Sequence, residues 1–371
     1  MLRNNPIQLV CFTFIPVIFL LFQVAAQTPI THVSDAPYCQ YYADMDGDWI
    51  VWLDNRTVTE QHIYLYHIPD STVTQITTDG STKSRPRISG HRVVWADHRN
   101  GNWDIYNYNM LYPHLNDYPL IDYSGDQTEP DIFGDSLVYI DKRGGPASSN
   151  LFFYDMANIN EIQITDDAMG QQFHPSISEY GIAFQTGAYG DIYLYQFYNQ
   201  EILDVCTDIY EQRNPEMSGR RIFWEDNRNG NWDIYMLYYF YYYGSLKHLE
   251  WPITPLMERN MAVKPDQCDP HIWGDNLVFA DDRNGNWDIY LYQFHNAIWG
   301  TLALISDAAE DEFGPRACGD RIVWYDDEDP NPAIISESDV FMWERPAGAD
   351  LSISGSDDKD PVILGDYITY T

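Results

Sequence analysis

Three near-identical stretches carry the side chains best suited to chemistry: WADHRNGNWDIY at 95–106, WEDNRNGNWDIY at 224–235 and FADDRNGNWDIY at 279–290. Each sets two carboxylates around an Asn-Gly turn: Asp97 with Asp104, Asp226 with Asp233, and Asp281 with Asp288. Carboxylate and amide oxygens gathered on a tight loop are the donor set of a hard cation, so calcium is the one cofactor these loops invite. Between the carboxylates stand Trp103, Trp232 and Trp287, whose flat faces would stack on sugar rings if exposed. A second aromatic group, Tyr238 to Tyr243 followed by Trp251, adds Tyr241 and Trp251 as ligand-binding candidates.

The spacing also supports a purely structural use. An EF-hand loop sets carboxylates two apart ahead of its Gly, whereas Asp97 lies four before Gly101. The Asp-box of sialidases has Trp three after its Gly; Trp103 comes two after Gly101. The recurring core is aromatic-x-Asp-x-Arg, as in Trp52/Asp54/Arg56, Trp95/Asp97/Arg99, Tyr139/Asp141/Arg143, Trp224/Asp226/Arg228 and Phe279/Asp281/Arg283. Residues two apart on a strand share a face, so the aromatic is expected to pack between sheets while Asp and Arg pair. A single active site does not require five copies.

Catalytic signatures are missing. The sequence has no Gly-x-Ser-x-Gly elbow, His-Glu-x-x-His pair, phosphate loop or dinucleotide fingerprint. Its ten His show no ligand spacing; His174 and His271, beside Pro175 and Pro270, are the two that fall on or near inner strands.

The elements that must position these residues follow from a repeat. Each signature comes after a Pro-x-hydrophobic-x-Gly element (PRISG at 86–90, PEMSG at 215–219, PHIWG at 270–274), and weaker copies fill the gaps. The marker glycines at 47, 90, 134, 181, 219, 274, 319 and 365 lie 38 to 55 residues apart across the whole chain after residue 36. Each unit reads as four short strands, with Asn-Gly as the hairpin signal between the second and third. Four strands per unit in a series of this length predict an all-β fold, a β-propeller of seven four-stranded blades, with eight as the alternative. The ring is expected to close by pairing of N- and C-terminal strands, with residues 360–371 as the C-terminal contributor. Blade one has Ala43 where others have Pro, which predicts an irregular inner strand.

Composition bounds the partners. With 56 acidic and 21 basic residues the chain carries a formal charge of −35, which excludes nucleic acid as a partner by electrostatic repulsion. Arg3, the apolar run Ile7–Val24 and Val24-Ala25-Ala26 predict a secretory signal at 1–26, a lead-in at 27–39 and a single propeller domain at 40–371. An uncleaved anchor is the alternative, and no other segment of the sequence would span a membrane. Cys39, Cys206, Cys268 and Cys318 leave disulfides and buried thiols equally open.

The Asp-x-Arg-Asn-Gly-Asn-Trp-Asp-Ile-Tyr core resembles the TolB-type β-propeller repeats of surface-layer and other cell-surface proteins of methanogenic archaea, over residues 40 to 371. The resemblance implies an exported propeller displayed at the cell envelope, secreted or surface-bound, and carries over no catalytic residues. The expected function is a non-catalytic interaction or envelope module whose partners are envelope proteins or glycans. The alternative is a polysaccharide lyase or glycosidase acting at the central channel mouth.

Overall fold

A computed structural model describes residues 30–346, apart from short stretches at 35–38, 58–59, 116, 146, 188–189, 243–244, 255–263, 296–299, 307 and 328–337. It also describes the backbone at 362–364 and 367–369; the side chains of 240–249 and the predicted signal lie outside the described residues. Seven four-stranded antiparallel sheets make the blades of a β-propeller. Blades 1 to 6 span 40–75, 87–121, 127–163, 172–206, 212–252 and 267–306, each running from inner to outer strand in chain order.

The repeat signature explains why every unit folds alike. The aromatic of the second strand is fully buried and stacks on an aromatic of the third in all seven blades: Trp52 on Tyr64, Trp95 on Tyr106, Tyr139 on Phe152, Phe184 on Tyr193, Trp224 on Tyr235, Phe279 on Tyr290 and Trp324 on Phe341. Where the signature has its Arg, the guanidinium caps this stack, as with Arg99 at 4.0 Å from the Tyr106 ring and Arg228 at 4.2 Å from Tyr235. Each such pair contributes about 0.5–1.5 kcal/mol beyond area burial. The Asp between aromatic and Arg is buried and binds the Arg in every copy, and where the aromatic is Trp52, Trp95 or Trp224 it also accepts from the indole N–H. Asp97, for example, accepts from Trp95 Nε1 at 3.0 Å and from Arg99 at 2.6 Å. The expected Asp–Arg pairing is present in all five copies.

Closure differs in detail from the expectation. Blade 7 takes Asp311–Cys318, Arg321–Asp327 and Val340–Glu344, and its outer strand is Thr31–Ser34. The terminal strands do meet, but the N-terminal member comes from the segment expected to be a lead-in. Residues 360–371 are not the C-terminal contributor: Thr31–Ser34 already fills the fourth place in blade 7, and Val362–Leu364 and Tyr367–Thr369 pair with each other as a separate hairpin. The inner strand of blade 1 is regular despite Ala43, with the same register shift as blades 3 to 7. Cys206, Cys268 and Cys318 are thiols, not disulfides.

Candidate ligand site at the channel mouth

The inner strands line a central channel, and the Pro-x-hydrophobic-x-Gly element decides what faces it. The hydrophobic residue packs between blades, as Ile88, Ile132, Ile177, Met217, Ile272 and Ala317 do. The variable residue before it supplies a ring of polar side chains: Asp44, Arg87, Asp131, Ser176, Glu216, His271 and Arg316. Four of the seven accept a backbone N–H from the next blade. These contacts are Ile88 N to Asp44 at 3.0 Å, Ile177 N to Asp131 at 2.9 Å, Met217 N to Ser176 at 3.0 Å and Ala317 N to His271 Nδ1 at 3.0 Å.

Arg87, Glu216 and Arg316, which make no such rung, group across the channel. Glu216 Oε1 lies 3.4 Å from Arg87 and 3.5 Å from Arg316, while Arg87 also reaches Asp131 at 3.4 Å and Arg316 reaches Asp44 at 4.0 Å. Burial pushes Glu216 up, but Arg316 and Arg87 outweigh it and hold it at about 2. Asp131 shares Arg87 with Glu216 and loses the contest, so burial raises it to about 6. Burial and Arg316 hold His271 down at about 3, so its imidazole is neutral at ordinary pH, as its acceptor role requires.

Above this charged floor the channel opens into a cavity of about 410 Å³. Its rim is formed where the inner strands of blades 1 and 3 to 6 bend just before the Pro, or before Ala43 in blade 1. Tyr42, Glu129, His174, Asn214 and Asp269 all hold φ between 48° and 58° there, and all five line the cavity. Left-handed backbone at non-glycine residues costs about 1–3 kcal/mol each and gathers at functional sites. Two of these side chains are also rungs: Glu129 accepts from His174 N at 2.5 Å and Asp269 from Gly314 N at 3.2 Å. Arg85, Trp103 and Ser84 complete the wall on the side of blade 2.

Of the ligand and metal candidates named from sequence, Trp103 alone among the described residues lines this cavity, and of the two histidines singled out His174 joins it. The Trp103 ring packs on His98, with centroids 5.3 Å apart. Trp232 lies under the Arg213 guanidinium at 3.7 Å, and Trp287 packs against Phe313. The backbone N–H of each of the three Trp donates to an Asp at the entry of the next blade: Asp126, Asp266 and Asp311. Trp251 packs in the core between blades 5 and 6. Tyr241 pairs with Leu246 through its backbone, and its side chain lies outside the described residues.

In the hairpins, Asp104, Asp233 and Asp288 each accept from two Asn amides, for instance Asn100 at 2.9 Å and Asn102 at 2.7 Å for Asp104. Their partners Asp97, Asp226 and Asp281 are bound to arginine. Each carboxylate therefore faces N–H donors, and Asn-Gly turn and strand are locked together by them. Among the described residues one group of metal-ligating atoms converges, Cys206, Asp208 and Asp226. The Arg228 guanidinium already touches all three, at 3.1, 3.4 and 2.5 Å.

Apart from His271, the ring position escaped sequence reading because it is the variable letter of the repeat. The available signal was that all seven residues there are polar in strands otherwise built for a core.

No protein-family model matches the chain, and no curated protein does. Among solved structures it is similar to the Pyrococcus horikoshii acylaminoacyl peptidase (TM-score 0.57, 14% identity, 82% of this chain and 51% of that one). It is similar also to a Mycobacterium tuberculosis puromycin-hydrolyzing peptidase (0.58, 11%, 82% and 50%). A third is the β-propeller domain of the Trilobed protease from Pyrococcus furiosus, described as having an open velcro topology (0.55, 11%, 82% and 95%). The chain thus spans about half the length of the two peptidases and nearly all of the isolated propeller domain. At these identities the likeness establishes the propeller fold.

Proposed function

We propose that the chain is an exported, non-catalytic propeller that binds a ligand at the channel mouth and acts as an interaction module at the cell envelope, with glycans or envelope proteins as partners. The observation that carries this reading is the engagement of the polar ring under the cavity. A general acid, base or nucleophile needs a lone pair or proton turned toward substrate. Here Asp44, Asp131, Ser176 and His271 hold neighbouring blades together, and Glu216 is shared by two arginines. The strained rim around a cavity of ligand size supports binding over a purely structural role. The apolar N-terminal run and the resemblance to surface-protein repeats support export.

A thermal-shift screen of the purified protein against neutral and acidic oligosaccharides and envelope-protein fractions tests this. The expected result is a ligand-specific rise in Tm with no turnover of that ligand on prolonged incubation. Release of new sugar ends or unsaturated product would replace the binding reading with an enzymatic one.

A further inference from the structure

Resting on that reading of the mouth, we propose that the site takes a monocarboxylate, its single carboxylate gripped by Arg85 while a flat neutral body lies against Tyr42 and Trp103. Among the described residues, Arg85 and Arg220 are the arginines that form no ion pair, in a chain with 56 acidic side chains. Of the two, Arg85 lines the cavity, half-buried. Its guanidinium carbon stands 5.1 Å from the Tyr42 ring centre. A planar fork with no acceptor, inside a cavity of about 410 Å³, matches a carboxylate in a bidentate pair.

The surroundings select the charge of the ligand. Arg87 and Arg316 lie in the same cavity, but Glu216, Asp131 and Asp44 already pair with them, which leaves Arg85 as the cavity's arginine without a carboxylate partner. Glu129 and Asp269 stand on the rim, and the whole chain carries −35. A dianion or a polyanion would gain one arginine and meet this repulsion with its remaining charges. A single carboxylate on a neutral body meets least of it. Tyr42, packed against Tyr41 and Tyr325, and Trp103, packed against His98, are held in place as aromatic walls beside Arg85 for that body.

Isothermal titration with two matched pairs tests this and separates the two sources of such a group: glucuronate against glucose for an acid sugar, and hippurate against hippuramide for a peptide-like terminus. The expected result is that one carboxylate binds at least about tenfold more tightly than its neutral partner. Arg85→Gln should bring it down to the neutral partner's level with Tm unchanged, and Arg85→Lys, which keeps the charge but not the fork, should fall between. Equal binding by the neutral partner, or full binding by R85Q, would overturn the inference while leaving the mouth as a binding site. Failure of all four probes at millimolar concentration would also overturn it, and the broader ligand screen then decides whether the binding reading falls with it.

Discussion

Removing a carboxylate that sits beside a buried arginine ordinarily destabilises a protein; Asp131→Asn should do the reverse. Asp131 lies 3.4 Å from Arg87, but Arg87 is also claimed by Glu216, and burial lifts Asp131 from its ordinary 3.8 to about 6. Between those two values the folded chain binds a proton that the unfolded chain has released. Stability is therefore lost as pH rises through this window, by about 3 kcal/mol for a shift of some two units at 1.36 kcal/mol each. Asparagine mimics the protonated form and keeps an oxygen for the Ile177 N–H, 2.9 Å from the present carboxylate. Arg87 keeps Glu216. The D131N protein should thus be about 1–3 kcal/mol more stable than wild type at pH 8 and equal to it near pH 4. Urea unfolding at both pH values, read as midpoint and slope, measures the difference. A variant less stable than wild type at pH 8, or a difference independent of pH, would refute the assignment of the raised proton affinity to Asp131.

Glu216→Gln should destabilise at neutral pH by about 3 kcal/mol, because two buried arginines lose their shared anion. In wild type that contribution is complete above pH 4.5 and lost as pH falls toward 2, so acid unfolding of E216Q should be flatter over that range. Asp104→Asn should lower stability by about 1–2 kcal/mol, since two Asn amides lose a charged acceptor, whereas calcium or chelator should leave wild-type Tm unchanged. A calcium-dependent rise in Tm would place an ion in the hairpins. Burial pushes the Cys206 thiol up to about 12 and Cys318 to about 11, so iodoacetamide at pH 8 should label neither until urea unfolds the chain, as read by mass spectrometry.

The blade was legible because its constant letters are the ones that pack. Trp95, Asp97, Arg99 and Tyr106 recur since every sheet needs the same stack, and in five of the seven the same Asp–Arg pair caps it. The outer strand of blade 7 was not legible. Thr31–Ser34 is four residues long and carries none of the repeat, and its place is fixed by an open edge at Val340–Glu344 that only the closed ring creates. The channel was hidden for the opposite reason. Asp44, Arg87, Glu216 and Arg316 occupy one position of the repeat but differ from blade to blade, so a search for sameness passes over the place where the blades differ in chemistry. The hairpin carboxylates drew attention because they repeat, and their Asn partners explain that repetition as turn geometry.

The strand that completes blade 7 sets an order of events for the growing polypeptide. Thr31–Ser34 is made near the start and pairs with Val340–Glu344, near the end. Throughout synthesis six blades can collapse by local hairpin pairing while this short segment has no partner and the first blade no neighbour on one side. The last steps then come together: Arg321 reaches Asp48 at 2.7 Å, Cys318 receives the Gly47 N–H at 3.3 Å, and the four-residue strand docks. Until then the incomplete circle exposes a sheet edge to its own copies, so chains stalled short of residue 340 are the ones that should aggregate.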